Sequence, residues 1–257
     1  MVMKLEGAPN FRDLGGLQTR NGRQVRYGTV YRSENLARLS DGDLDLLEQA
    51  GIRLVCDLRS HDEIRRIRSR WRETHDAEFL HLDVNGDIRS DDGGFHRLLQ
   101  DDASIEDARL AMLSSYRHMP RRFERHLRTL FERLTTGDKL PAVIHCHAGK
   151  DRTGFACAMI LAALDVLPEE IERDYMETAA NIDIGESTEG IIALLAARTG
   201  RRVSVELMAP IVTVHADYIN EALRSAEQAY GSLDVYLEEV GGLTPEKRER
   251  LHALLLD

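Results

Sequence analysis

The sequence predicts an α/β protein with a parallel sheet set between helices, and three features carry that reading. Short β-branched or apolar runs alternate with helical patterns through the first half of the chain. The run LPAVIHC is too short for a helix and is bounded by Pro141, as suits a buried parallel strand. The stretch after it, TGFACAMILAALDV (153–166), is apolar almost all round, as a helix pressed against a sheet must be.

The elements follow in order. TVYRS (29–33) reads as a strand. SDGDLDLLEQAG (40–51) opens on Ser and Asp and stops at Gly, the signals of a helix start and end. GIRLVCDLRS (51–60) is again a strand, which completes a strand, helix, strand unit. HDEIRRIRSRW (61–71) reads as helix, AEFLHLDV (77–84) as strand, and the turn formers of NGDIRSDDGGF (85–95) as a loop free to move. ASIEDARLAMLSSYRHM and PRRFERHLRTLFERL are two helices, the second with Pro120 in its first turn. From Pro168 onward helix follows helix, and residues 181–217 read as a helical lid or insertion. No repeat or low-complexity linker divides the chain, so residues 1–257 read as one domain.

Charge narrows the function. With 34 basic and 44 acidic residues the net charge is -10, which gives no general attraction to nucleic acid or an anionic membrane. Any anion site must be local. Cys56, Cys146 and Cys157 are an odd number without metal-ligand spacing, which fits a reducing compartment and makes the cytoplasm the expectation. The first residues lack the apolar run of a signal peptide, and no window reaches the roughly 18 apolar residues of a membrane span. Export without a leader is compatible with the same sequence.

The densest signal is HCHAGKDRTG (145–154). If a strand ends at Cys146 and a helix begins near Arg152, the residues between must turn sharply, with backbone N–H groups aimed inward. That turn is an anion nest, reinforced by the helix dipole. Gly149 permits the tight backbone and Gly154 permits close packing behind it. A cysteine at the bottom of such a nest feels amides, a helix N-terminus and a guanidinium, all of which favour thiolate over thiol. Cys146 is the expected nucleophile, and the planar fork of Arg152 can take two oxygens of a phosphoryl group at once. The Thr153 hydroxyl lies within reach of the sulfur as a donor to the leaving thiolate. A nucleotide-binding P-loop fails, because Ile144 holds its first glycine position and Asp151 its last. A zinc site on His145, Cys146 and His147 fails too: adjacent residues diverge, and no CxxC or HxxxH partner occurs. No metal and no cofactor is expected.

HCHAGKDRTG carries the Cys-x5-Arg-Thr signature and resembles the atypical bacterial tyrosine/serine phosphatases. NFRDLGG (10–16), YRSENL (31–36), DLRS (57–60) and DYMETAANI after the motif are similar to that family in type and order, a likeness covering residues 8 to 182. The resemblance implies a cysteine-phosphatase-like fold with a four-stranded parallel sheet, and hydrolysis of phosphotyrosine without a metal. It extends to phosphoserine, phosphothreonine or phosphoinositides in some members. Carried over by position, Cys146 is the nucleophile, Arg152 binds phosphate, and His147, Ala148, Gly149, Lys150 and Thr153 form the cradle, with Gly154 behind. The expected partners are a phosphorylated protein or a phosphoinositide. A module that grips phosphotyrosine without turning it over is the alternative.

Three assignments have two readings each. The general acid is Asp87, chosen from Asp83, Asp87, Asp91 and Asp92 after the AEFLHL strand, or Asp151 inside the cradle, whose other role would be to hold the loop. Lys150, with His147, either meets additional phosphates of an inositol head group or neutralises Asp151 or Asp57. Phe11 and Arg12 either line the mouth, stacking on substrate and touching phosphate, or pin the N-terminal segment through a buried ring and an ion pair. Asp57 and Arg59 read as a brace for the cradle.

Overall fold

Serine capping boxes set the start of three helices. The side chains of Ser40, Ser60 and Ser104 each accept from the amide three residues on, and the carboxylates of Asp43, Glu63 and Asp107 return a bond to the cap. These reciprocal caps satisfy amides that a helix start leaves orphaned. They fix α1 (Asp41–Gln49), α2 (His61–Arg66) and α3 (Ile105–Arg117) in a computed structural model that describes residues 3–71, 77–84, 97–181, 184–200 and 202–257.

The strands are β1 (Arg12–Asp13), β2 (Val30–Ser33), β3 (Leu54–Asp57), β4 (Glu78–His81) and β5 (Ala142–His145). They form one sheet in the order β1-β2-β5-β3-β4, with β1 antiparallel to β2 and the other neighbours parallel. The four parallel strands are those expected. The two-residue edge strand β1 is an addition, too short to show a period in sequence. Every residue of β2, β3 and β5 is buried, apolar at the start of each strand and polar or charged where Arg32, Ser33, Asp57 and His145 end it. Alternate residues serve opposite faces: Val30, Leu54, Cys56 and Ile144 join the larger core, and Tyr31, Val55 and Val143 the smaller one.

Two helical expectations are shortened. The 61–71 helix stops at α2 because Ile67 turns extended and its carbonyl accepts from Arg59 Nη1 (2.7 Å). The stretch opened by Pro120 divides into α4 (Met119–Phe123) and α5 (Leu127–Thr136), where tighter turns bond Glu124 to Arg121 and His126 to Phe123. After β5 comes α6 (Asp151–Ala163), buried from Arg152 through Leu161 as its composition requires. The remaining helices are α7 (Pro168–Asn181), α8 (Ile184–Thr199), α9 (Val205–Val212), α10 (Ala216–Tyr230), α11 (Leu233–Glu239) and α12 (Pro245–Leu255). Helix α9 packs on α8 and α3, so the 181–217 excursion is two helices seated on the sheet's helical layer. Among the described residues, no helix is long and apolar enough to cross a membrane.

Candidate active site

β5 ends at His145 and α6 starts at Asp151, so Cys146 to Lys150 make the turn between them. Gly149 takes φ +67°, and a Cβ there would lie 2.6 Å from Asn10 Nδ2 and from the Ser33 carbonyl oxygen. Glycine is required on both counts. The loop carbonyls are held on the outside. His147 O accepts from Asn35 N and Nδ2 (both 3.0 Å), and Ala148 O accepts from Asn10 Nδ2 (3.1 Å). Gly149 O accepts from Asn10 Nδ2 (3.2 Å) and Arg32 Nη2 (2.8 Å). In a planar trans peptide the N–H opposes the C=O, so the amides of Ala148, Gly149 and Lys150 turn the other way. Among the described residues none of these three has a protein acceptor. This is an anion nest with its donors vacant.

The side chains behind the loop form one buried network. Asp174, on α7, receives Arg32 Nη1 (2.5 Å) and Arg12 Nε (3.0 Å), one on each oxygen. Arg12 also donates to the Asp174 carbonyl (2.7 Å), to Thr178 Oγ1 (3.0 Å) and to Asn10 Oδ1 (2.5 Å). Burial pushes the Asp174 carboxyl up, but the two guanidinium groups outweigh it and hold the group below the ordinary carboxylate range. The cradle is thus shaped from NFRD, YRS and DYMET together.

Arg152 has its own clamp. Nη1 and Nη2 each reach a Glu63 oxygen at 2.7 Å, and Nη1 also reaches Leu58 O (3.2 Å). Of the five guanidinium protons, the one on Nε and the second on Nη2 are left, and they form a parallel fork. Glu63 was not among the residues expected at the site. Its signal was present as the Ser60-x-x-Glu63 capping box, which reads as helix punctuation. Asp57 and Arg59 pair with each other: Arg59 Nε meets Asp57 Oδ1 at 2.9 Å and Nη2 meets Oδ2 at 2.7 Å.

Cys146 is almost wholly enclosed at the foot of the loop. Burial pushes the other two thiols up, Cys157 to about 12 and Cys56 further, so neither is a nucleophile near neutral pH. His147, at the start of the loop, is exposed. The Thr153 hydroxyl is buried without a hydrogen-bond partner, so the expected bond to sulfur is not made in this conformation. At Gly154 an added Cβ would lie 2.8 Å from the Tyr175 ring.

Three of the open assignments are met by contacts within the protein. Phe11 is buried in the smaller core, stacked on Tyr31 with centroids 5.1 Å apart, and does not line a mouth. Arg12 spends its donors on Asp174, Thr178 and Asn10, the pinned arrangement rather than a phosphate contact. Lys150 is 3% exposed, and its Nζ donates to Ile211 O (2.5 Å) and Thr213 O (3.1 Å), with Asp151 Oδ1 3.4 Å away. Free carbonyls at the end of α9 capture the ammonium, as helix C-termini do. Asp151 is anchored by Tyr116, whose hydroxyl donates to Oδ1 at 2.6 Å. Asp87, Asp91 and Asp92 lie outside the described residues, while Asp83 sits 3.5 Å from His61.

A thiol, an amide nest and a guanidinium fork, placed where a parallel strand gives way to a helix, define an α/β protein with a cradle for a tetrahedral anion. The chain belongs to the tyrosine phosphatase family, whose model matches residues 3–257, and it is therefore a phosphatase, a hydrolytic enzyme. It is 32% identical to the triple specificity protein phosphatase PtpB of Mycobacterium tuberculosis, over 99% of each chain. It is 34% identical to a provisionally named tyrosine-protein phosphatase of Cupriavidus necator, over 90% of this chain and 80% of that one. The crystal structure of TpbA from P. aeruginosa aligns over 78% of this chain and 89% of that one, at 16% identity and a TM-score of 0.27, a likeness too weak to carry weight.

Glu63 yields a prediction on two readouts. Burial pushes its carboxyl up, but the bonds and charge of Arg152 and the Ser60 cap outweigh that and hold it at about 2. A depressed folded value stabilises the fold above the ordinary 4.5, and that contribution is lost as pH falls toward 2. Glu63→Gln is expected to remove this acid-dependent part of a Tm-against-pH curve. It should also raise KM for an aryl phosphate about 10-fold, because a charged bond backing the fork is lost.

Proposed function

We propose that the chain hydrolyses phosphotyrosine in proteins through a phosphocysteine on Cys146, and that residues 1–257 act as one phosphatase domain with the 181–217 helices as its lid. The observation that carries this reading is the set of vacant donors around Cys146: the amides of Ala148, Gly149 and Lys150, and the Nε/Nη2 fork of Arg152. They match the three oxygens of a phosphoryl group, and being preorganised they would hold those oxygens more strongly as charge redistributes over them in transfer. The thiolate attacks phosphorus, the P–O bond to the leaving group breaks, and a general acid protonates the departing oxygen. Water then attacks phosphorus, gives its proton to the same carboxylate, and releases phosphate and thiolate.

Asp151 is the general acid in this reading. It lies within the cradle, its Oδ1 is anchored by Tyr116, and its side chain is 29% exposed toward solvent. A phosphate dianion beside a carboxyl favours the protonated form, which is the one an acid needs. Thr153, whose hydroxyl has no partner at rest, is placed in the sequence to donate to sulfur when the intermediate breaks down. The hold of Lys150 on Ile211 and Thr213 supports the lid role, since it ties α9 to the cradle. Three free thiols fit a reducing cytoplasm.

The test is phosphate release from phosphotyrosine, phosphoserine and phosphothreonine peptides and from phosphoinositide vesicles. Phosphotyrosine is expected to turn over fastest. With Lys150 committed to carbonyls, phosphoinositides are expected to trail. Binding of phosphotyrosine without release would make the chain a receptor and overturn the reading; faster release from phosphoinositides would overturn its substrate.

A further inference from the structure

The carboxylate of Asp151, the first residue of α6, is hydrogen-bonded from outside the loop that precedes it. Its Oδ1 accepts from Tyr116 of α3 at 2.6 Å, and Tyr116 Oη lies 2.6 Å from Tyr175 Oη of α7. A phenol has one proton. Since Tyr116 gives its own to Asp151, the bond between the phenols must run from Tyr175 to Tyr116, and the chain has a direction: Tyr175 to Tyr116 to Asp151. Both residues are at most 1% exposed, and burial, then the Asp151 charge, keeps both phenols protonated well above their ordinary range. Tyr116 also packs edge-on to Tyr175 (81°) and against Tyr218, with centroids 6.2 and 5.4 Å away, so its hydroxyl cannot wander. The ring of Tyr175 stands where a Cβ of Gly154 would be, which gives that glycine a purpose in the signature.

A donor fixed on Oδ1 leaves Oδ2 as the oxygen able to carry a proton. Among the described residues Oδ2 has no hydrogen-bond partner, and Lys150 Nζ approaches Oδ1 as well, at 3.4 Å. We propose that Tyr116, oriented by Tyr175, is a positioning residue that decides which oxygen of Asp151 holds the transferable proton, and so sets how well the enzyme expels poor leaving groups. This rests on the reading of Asp151 as the general acid. Proton donation matters little for p-nitrophenolate, which leaves readily as an anion, and much for phenolate or an alkoxide. The consequence is a leaving-group dependence, not a uniform loss.

The experiment measures kcat/KM of wild type, Asp151→Asn, Tyr116→Phe and the double variant Tyr116→Phe/Tyr175→Phe with p-nitrophenyl phosphate, phenyl phosphate and a phosphoserine peptide. Asp151→Asn should lose roughly 100-fold on phenyl phosphate and less on p-nitrophenyl phosphate. Tyr116→Phe should show the same slope at about 10-fold, the size of one lost hydrogen bond to a charged group. The single variant strands the Tyr175 hydroxyl; the double variant removes both and should keep the slope without that penalty. A steep Asp151→Asn with both tyrosine variants flat, or uniformly slower, overturns the positioning role alone. A flat Asp151→Asn removes the acid assignment, and the inference with it, while leaving the roles of Cys146 and Arg152 standing.

Discussion

Cys146→Ser is expected to stop phosphate release, by roughly 10³-fold or more, while phosphotyrosine peptides still bind. Serine is isosteric, but its hydroxyl is not ionised near neutral pH as a thiol readily is, so the covalent step loses its nucleophile. Binding should survive because the cradle is not shaped by the sulfur. Its carbonyls are held by Asn10, Arg32 and Asn35, and its fork by Glu63. The check is phosphate release together with calorimetric titration by the same peptide. Turnover within tenfold of wild type would move the chemistry away from cysteine altogether, since the remaining thiols of Cys56 and Cys157 are buried and pushed up.

Asp174→Ala is expected to give the largest loss of stability. The carboxylate is 4% exposed and receives two buried arginines, Arg12 and Arg32, so its removal strands two guanidinium groups in the interior. Breaking a buried pair from one side costs about 3–5 kcal/mol. For a chain of this size that is a fall in Tm on the order of 10 °C. Activity should fall in the protein that remains folded, because Arg32 no longer has a reason to sit on the Gly149 carbonyl. Asp174→Asn keeps the shape and should fall between. Because Asp174 is depressed below its ordinary 3.8, its contribution is present above that pH and lost as pH falls through the folded value. The wild type should therefore shed stability in acid that Asp174→Asn has already lost. A shift under 1 °C for Asp174→Ala would show that the network carries no load.

The parallel sheet, the apolar helix α6 and the cysteine-to-arginine turn were legible because each is local: a strand, a spacing and a period can be read along the chain. What the loop leans on was not. Asn10 meets the loop 138 residues away, Arg12 meets Asp174 at 162, and no spacing along the chain records such pairs. NFRD therefore reads equally well as a mouth or an anchor until the burial of Phe11 and the bonds of Arg12 to Asp174 and Thr178 decide between them. Lys150 shows the same limit. Beside an anion site a lysine reads as a counter-charge, and the competing acceptors that hold it lie on a helix whose docking the sequence does not state. Glu63 and Tyr116 escaped for a related reason, being ordinary as a cap residue and a core aromatic until their far partners are known.

Passage of phosphate through Cys146 is checked by rapid denaturing quench of the wild type mixed for milliseconds with ³²P-labelled aryl phosphate. Up to one label per chain is expected, linked as a thiophosphate ester to the peptide carrying HCHAGKDRTG and absent in Cys146→Ser. Label on any other residue, or full turnover with no covalent label at any time point, would contradict it.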